Sequence, residues 1–144
     1  MTGADLLVDT SVAVALVVAD HAHHETTVEA MGRRRLGLAG HAAFETFSVL
    51  TRLPPPARRS PVVVAQLLAR NFPASRFLAA SRQQQLLADL VERGVGGGSV
   101  YDALVAAVAQ EHQLVLATRD RRALATYRAL DVEIELVPGS STGP

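Results

Sequence analysis

Short apolar segments alternate with longer helical segments along almost the whole chain, and few folds accommodate that order. Strand signals occur at residues 6–8, 36–39, 76–79, 115–117 and 134–137. Helical periodicity covers residues 12–18, 23–33, 41–53, 61–71, 83–93, 100–112 and 121–130. Strands that alternate with helices are typical of α/β domains, in which helices cover both faces of a mostly parallel sheet. We therefore predict an α/β fold with a mostly parallel sheet of about five strands.

The length of the chain limits the number of domains. Its 144 residues suffice for one domain with a substantial core and are too few for two ordinary ones. Hydrophobic residues make up 49% of the chain, which favours a compact fold over disorder. We place the domain at residues 1–138 and predict a disordered tail at residues 139–144, where Gly, Ser, Thr and Pro predominate.

Cysteine and long apolar runs are both missing from the sequence. Without cysteine the chain forms no disulfide and no thiolate metal site, which suits a reducing cytoplasm. The longest apolar run, residues 12–19, is far shorter than the ~20 residues that span a bilayer. The N-terminus also lacks the basic and apolar regions of a signal peptide. We therefore expect a cytoplasmic protein without a membrane partner.

The basic residues exclude several phosphate-handling mechanisms. The formal net charge is zero, so overall charge gives no indication of a nucleic-acid partner. All 14 basic residues are Arg, and the chain contains no Lys. A P-loop needs Lys against phosphate, and receiver domains and aspartate-nucleophile phosphatases also place Lys beside their acids. The sequence therefore excludes these classes in their usual form.

Four acidic residues occupy positions that a parallel sheet would bring together. Asp9 and Asp120 each follow a predicted strand and precede a helix. The carboxyl ends of parallel strands share one edge, where ligand sites of open α/β folds form. Asp102 lies in the first turn of a glycine-led helix, and Glu45 borders the apolar stripe of another helix. We therefore expect the four carboxylates to converge.

Each acid also has an ordinary structural explanation, namely helix capping or exposure to solvent. The candidates are caps at Asp9 or Ser11 and at Asp120, a capping box of Ser99 and Asp102, and a solvated Glu45 near Arg52. Two acids at strand ends and a third on a glycine-led helix are more than capping requires. The combination therefore favours a functional site.

Four ordered motifs resemble PIN domains, specifically the VapC-type toxin ribonucleases of bacterial toxin–antitoxin pairs. They are "VDTSV", "AAFETFSVLTRL", "GVGGGSVYDALVAAVA" and "LATRDRRAL", and together they span nearly the whole chain. The resemblance implies a twisted parallel sheet with helices on both faces. It also implies a metal-dependent endoribonuclease that hydrolyses RNA with Mg²⁺ or Mn²⁺ held by a carboxylate cluster.

The resemblance assigns roles to individual residues. The catalytic and metal-binding carboxylates would be Asp9, Glu45, Asp102 and Asp120. Asp9 and Asp102 would be the primary ligands, since Mg²⁺ takes one or two carboxylates together with waters and phosphate oxygens. Ser11 and Thr118 would supply supporting hydroxyls.

The resemblance also implies protein partners. A cognate antitoxin would neutralise the enzyme by folding over helices near the pocket, and the chain would form a homodimer. The alternative is a catalytically silent PIN-like binding module in a regulatory complex. Sequence leaves both open, because a carboxylate cluster can bind metal without cleaving anything.

Two further groups of residues are assigned mainly structural roles. The arginine run at residues 33–35 is interpreted as a solvated helix end, with RNA-phosphate contact as the alternative. The phenylalanines are predicted to be core residues, so no base-stacking surface is expected. They are Phe44, Phe47, Phe72 and Phe77.

Overall fold

Parallel strands form the centre of the molecule in the computed structural model, which describes residues 3–138. The strands are β1 (Leu6–Val8), β2 (Leu36–Leu38), β3 (Leu116–Thr118) and β4 (Ile134–Leu136). Their order in the sheet is β2-β1-β3-β4, and every pair is parallel. The first three are fully buried, as expected of apolar strands covered on both faces.

Helices connect the strands as the periodicity predicts, with ends that shift by a few residues. They are α1 (Thr10–Val17), α2 (His24–Met31), α3 (His41–Thr51), α4 (Pro61–Asn71), α5 (Ala80–Arg93), α6 (Ser99–His112) and α7 (Leu124–Ala129). A short 3-10 turn, Arg121–Ala123, precedes α7. None of the helices described in residues 3–138 is long and apolar enough to cross a membrane.

Two apolar clusters lie on opposite faces of the sheet, and alternate residues of β1 contribute to each. Leu7 belongs to the cluster that contains most of the buried face of α6. Leu6 and Val8 belong to the cluster that contains buried residues of α1. Successive side chains of a strand point to opposite faces, so this division confirms that helices cover both sides.

The predicted fifth strand, residues 76–79, does not form. Only an isolated bridge between Ala39 and Arg76 exists there, and α5 already begins at Ala80. Ala74 N and Arg76 N donate to the carbonyls of β2, so the chain runs beside β2 before the predicted segment and leaves it after Arg76. The predicted tail at residues 139–144 lies outside the described residues, so the domain boundary stays a prediction.

The prediction that all four phenylalanines are core residues is correct only for Phe72, because Phe47 is half-buried and outside both apolar clusters, and the other two are exposed. Phe72 is 2% exposed, but Phe44 and Phe77 are 67% and 55% exposed. The buried face of α3 is formed by small and aliphatic residues, including Ala42 and Leu50, so Phe44 lies outside it. The rings of Phe44 and Phe77 meet edge to face with centroids 6.2 Å apart.

The arginine run at residues 33–35 follows α2 and leads into β2 at the amino edge of the sheet. Arg34 donates two hydrogen bonds of 2.8 Å to the Glu135 carboxylate. Arg35 pairs with Asp5 at 2.9 Å. These cations are thus partly neutralised, and they lie at the opposite end of the strands from the four predicted acids.

Candidate active site

The central strands β1 and β3 are neighbours whose connections leave the sheet in opposite directions. From β1 the chain passes through α1 and α2 to β2 on one side, and from β3 it passes through α7 to β4 on the other. Such a reversal of strand order leaves a crevice at the carboxyl ends of the strands, where ligands of open α/β folds bind. Asp9 directly follows β1, and Asp120 lies two residues beyond β3.

All four predicted carboxylates line one small cavity in this crevice, with a volume of about 60 Å³. Helix α3 contributes Glu45 and the first turn of α6 contributes Asp102. The complete lining is Asp9, Thr10, Ser11, Glu45, Asp102, Val105, Asp120 and Tyr127. The structure therefore brings together the four acids and the predicted hydroxyl of Ser11.

Asp9 is the most deeply placed acid, only 4% exposed, and four groups donate hydrogen bonds to it. Its Oδ1 accepts from Ser11 Oγ at 2.5 Å and from Val12 N at 3.3 Å. Its Oδ2 accepts from Thr118 Oγ1 and, at 2.8 Å, from Tyr127 OH. Each oxygen of this carboxylate thus accepts two hydrogen bonds from the protein.

These bonds explain how a carboxylate is tolerated between two apolar segments. Burial raises the pKa of Asp9, and the four hydrogen bonds, beginning with those from Ser11 and Thr118, oppose that rise. Asp9 is also the N-cap of α1, through its bond from Val12 N. The capping interpretation is therefore correct for Asp9, and it coexists with a place in the cavity.

Ser11 and Thr118 are themselves held by the loop after β3. Ser11 Oγ accepts a hydrogen bond from Arg119 N at 2.8 Å, and Thr118 Oγ1 accepts one from Asp120 N at 3.0 Å. Because each hydroxyl oxygen accepts a backbone hydrogen bond, its own proton points to the Asp9 carboxylate. The two predicted supporting hydroxyls link β1 and β3 through the Asp9 carboxylate.

Asp102 is half-buried in a strongly anionic environment. Burial raises the pKa of its carboxyl, and the charges of Asp120, Glu45 and Asp9 raise it further. The N-cap of α6 is Gly98, without a side-chain cap bond, so the predicted capping box of Ser99 and Asp102 does not form. No group in residues 3–138 donates a hydrogen bond to Asp102, so capping does not explain its position.

Glu45 and Asp120 lie nearer the solvent. The side chain of Glu45 is 43% exposed, which agrees with the solvated alternative, and its Oε1 lies 3.5 Å from His41 Nε2. Asp120 caps the 3-10 turn, because its Oδ1 accepts from Arg122 N at 3.0 Å. Both keep oxygen atoms along the cavity, whose lining includes them.

The oxygen atoms that line the cavity suit a hard divalent cation that takes only one or two ligands from the protein. Within residues 3–138 no group of three or more acidic or histidine side chains is placed to hold a metal ion directly. Mg²⁺ and similar ions commonly use one or two carboxylates and complete their shell with water. A pocket of oxygen ligands, in which neighbouring charges raise the pKa of Asp102, favours such an ion because a cation relieves the repulsion.

Tyr127 is the cavity residue that sequence reasoning missed. It belongs to α7 and is 2% exposed, yet its hydroxyl reaches Asp9 across 118 residues of sequence. The available signal was a tyrosine within the apolar stripe of "RRALATYRAL", because a buried tyrosine usually finds a hydrogen-bond partner. The identity of that partner depends on how α7 packs, which periodicity does not specify.

Comparisons with known proteins match most of the chain. The family model described as the PIN domain matches residues 6–129. The chain is 45% identical to ribonuclease VapC27 of Mycobacterium tuberculosis over 129 residues, which are 90% of this chain and 94% of that protein. It is 48% identical to ribonuclease VapC40 of the same species over 131 residues, 90% and 96% of the two chains.

A solved structure agrees with these sequence matches. The crystal structure of Mycobacterium tuberculosis VapC20, described as a sarcin–ricin loop cleaving toxin, is 25% identical in sequence. It matches with a TM-score of 0.63 and covers 83% of this chain and 93% of that one. Sequence and structural similarity thus extend across the strands and helices that build the carboxylate cavity.

Proposed function

The chain belongs to the PIN-domain family, among the VapC ribonucleases, and from this premise we propose that it is an endoribonuclease toxin. Its reaction is the hydrolysis of RNA phosphodiester bonds at the cavity that Asp9, Glu45, Asp102 and Asp120 line. The observation that carries the proposal is the convergence of these four acids at the carboxyl ends of β1 and β3. Capping accounts for Asp9 and Asp120 but not for Asp102 or Glu45.

We assign Mg²⁺ or Mn²⁺ as the cofactor. Asp102 and Asp9 would be the primary ligands, and Glu45 and Asp120 would hold waters or a second ion. When bound, the cation orients the scissile phosphate, lowers the pKa of a bound water and stabilises the developing charge. The support for this assignment is the set of carboxylate and hydroxyl groups that line the cavity and the raised pKa of Asp102 beside three other acids.

Arginines beside the cavity offer a path for the RNA backbone. Arg119, Arg121 and Arg122 directly follow β3, and the side chain of Arg122 is 95% exposed. Arg122 Nε lies 3.6 Å from Asp120 Oδ1, so this cation is next to the acidic site. We propose that exposed arginines of this loop contact RNA phosphates, which would make substrate binding weaken steeply with salt.

We further propose a cognate antitoxin, a homodimer and a cytoplasmic location. The related VapC20 is described as a toxin, and a ribonuclease toxin made in the cytoplasm requires a neutralising partner. Large apolar side chains remain exposed on α5, among them Leu87 at 66% and Val91 at 83%. Exposed apolar patches are typical of surfaces that contact other protein chains.

The decisive experiment is cleavage of total cellular RNA by antitoxin-free protein in the presence of Mg²⁺, Mn²⁺ or EDTA. Asp102→Asn is the test variant, because no hydrogen bond within residues 3–138 depends on its carboxylate. Asp131→Asn is the matched control: Asp131 is exposed and has φ of 57°, a conformation that Asn tolerates.

We expect discrete fragments from the wild type and Asp131→Asn with metal only, and none from Asp102→Asn. Cleavage by folded Asp102→Asn at the wild-type rate would refute the assigned site. RNA binding without cleavage by the wild type, with either metal, would instead favour the catalytically silent binding module.

A further inference from the structure

We propose that Tyr127 is a positioning residue of this site, whose phenol fixes the Asp9 carboxylate for metal binding. The inference rests on the proposed function, because it concerns how one of the proposed ligands is held. It adds a residue from α7, the helix between β3 and β4, to a set otherwise drawn from α1, α3, α6 and the strand ends.

The contact itself is short, buried and specific. Tyr127 OH donates to Asp9 Oδ2 at 2.8 Å, and both residues are less than 5% exposed. The ring belongs to the apolar cluster that also contains Leu116 and Leu130, so packing fixes the direction from which the hydroxyl approaches. A hydrogen bond to an ionised acceptor in such surroundings is stronger than one between neutral groups.

The other groups that donate hydrogen bonds to Asp9 each have a second structural role, which the Tyr127 hydroxyl lacks. Val12 N belongs to the first turn of α1, where its bond to Asp9 caps the helix. The hydroxyls of Ser11 and Thr118 also accept backbone hydrogen bonds, from Arg119 N and Asp120 N. Within residues 3–138 the Tyr127 hydroxyl has Asp9 as its hydrogen-bond partner and no other. Its effect is therefore concentrated on one carboxylate oxygen.

The packing of the ring makes the phenol a dependable donor. Since a tyrosine ring has only two side-chain torsions and is packed in the core, the hydroxyl has little freedom to turn elsewhere.

Loss of this donor would leave Oδ2 held by Thr118 alone, so three hydrogen bonds instead of four would position the carboxylate. A side chain that becomes ordered only when it binds a metal ion binds that ion more weakly. Removal of the hydrogen bonds that orient metal ligands typically lowers metal affinity about 10–100-fold. The phenol does not itself touch the RNA in this scheme, so RNA affinity should change little.

The test compares Tyr127→Phe with Tyr101→Phe in intact, antitoxin-free protein. The chain has two tyrosines, and Tyr101 is 53% exposed, lies next to Asp102 in sequence and makes no described hydrogen bond through its hydroxyl. Mn²⁺ affinity is measured by calorimetry without RNA, folding by circular dichroism, and kcat and KM on a cleaved RNA.

We expect the Kd of Tyr127→Phe for Mn²⁺ to rise at least about tenfold and kcat to fall, while KM stays within about twofold of the wild type. The Kd of Tyr101→Phe should match that of the wild type. A folded Tyr127→Phe that binds Mn²⁺ as the wild type does would overturn the inference and leave the ribonuclease proposal intact. A wild type that binds neither Mn²⁺ nor Mg²⁺ would overturn both.

A second measurement remains available if Tyr127→Phe fails to fold. In the Tyr101→Phe background, incorporated 3-fluorotyrosine labels position 127 alone, because the chain has no third tyrosine. Its fluorine resonance should move on addition of Mg²⁺, and the movement should vanish in the additional variant Asp9→Asn. A resonance that stays fixed while the protein binds Mg²⁺ would refute the inference.

Discussion

Thr118→Val should destabilise the protein far more than the same change at other buried threonines. The side chain of Thr118 is fully buried, and its hydroxyl donates to Asp9 Oδ2 while accepting from Asp120 N. Valine has nearly the same shape, so the change removes the hydroxyl with little change in packing. It therefore isolates the contribution of the hydrogen bonds that join β1, β3 and the following loop.

The magnitude follows from the two bonds that are lost. A hydrogen bond to a charged acceptor contributes about 1.5–3 kcal/mol, and an amide left without its acceptor costs about 1–3 kcal/mol. We therefore expect the free energy of unfolding to fall by about 2.5–6 kcal/mol. For a domain of this size, a loss of 1 kcal/mol lowers Tm by about 2–4 °C, so Tm should drop by about 5–24 °C.

Thr27→Val and Thr46→Val are the matched controls. Both side chains are fully buried, and each hydroxyl donates at 2.7 Å to a carbonyl one turn earlier in the chain, that of His23 and Ala42 respectively. No charged partner loses a bond in either variant, so the expected cost is about 0.5–1.5 kcal/mol.

The assay is urea unfolding at pH 7 in EDTA, because bound metal would add its own stabilisation. A loss at Thr118→Val within about 1 kcal/mol of the controls would refute the reasoning. It would mean that the hydrogen bonds around Asp9 add little to the stability of the fold.

Two other predictions concern charge and close packing. Because the pKa of Asp102 is raised in the folded state, its ionisation opposes folding as pH rises, so Asp102→Asn should raise the Tm of metal-free protein at pH 7. The gain should disappear towards pH 4 and below, and a lower Tm at pH 7 in a thermal scan would contradict it. Gly37→Ala should cost about 3 kcal/mol or more, since its Cβ would lie 2.2 Å from the carbonyl oxygen of Ala74. Gly96→Ala, where nothing lies within 4 Å, is the control in urea unfolding, and equal stability of the two variants would contradict the steric argument.

The order of segments in the sequence was enough to predict the α/β class, the helices on both faces and the meeting of the four acids. Apolar periodicity records which side of each element is buried, and parallel strands must end at a shared edge. The fact that Asp9 and Asp120 each follow a predicted strand was therefore enough to locate both at this edge. Their detailed roles as ligands stay a proposal.

Other features were decided only by how the elements pack in three dimensions. Residues 76–79 have strand-like composition, but a strand forms only beside a partner of sufficient length, and there a single bridge is available. Phe44 has the hydrophobicity of a core residue, yet α3 presents a different face to the sheet.

The hydrogen bond from Tyr127 to Asp9 shows most clearly what could not be predicted from the sequence. A buried carboxylate needs hydrogen-bond partners, and a buried tyrosine usually finds one. The two residues are 118 positions apart, and only the packing of α7 against α6 and the apolar cluster brings their oxygens to 2.8 Å. Local patterns determine burial, whereas the pairing of distant polar atoms depends on the position of every element between them.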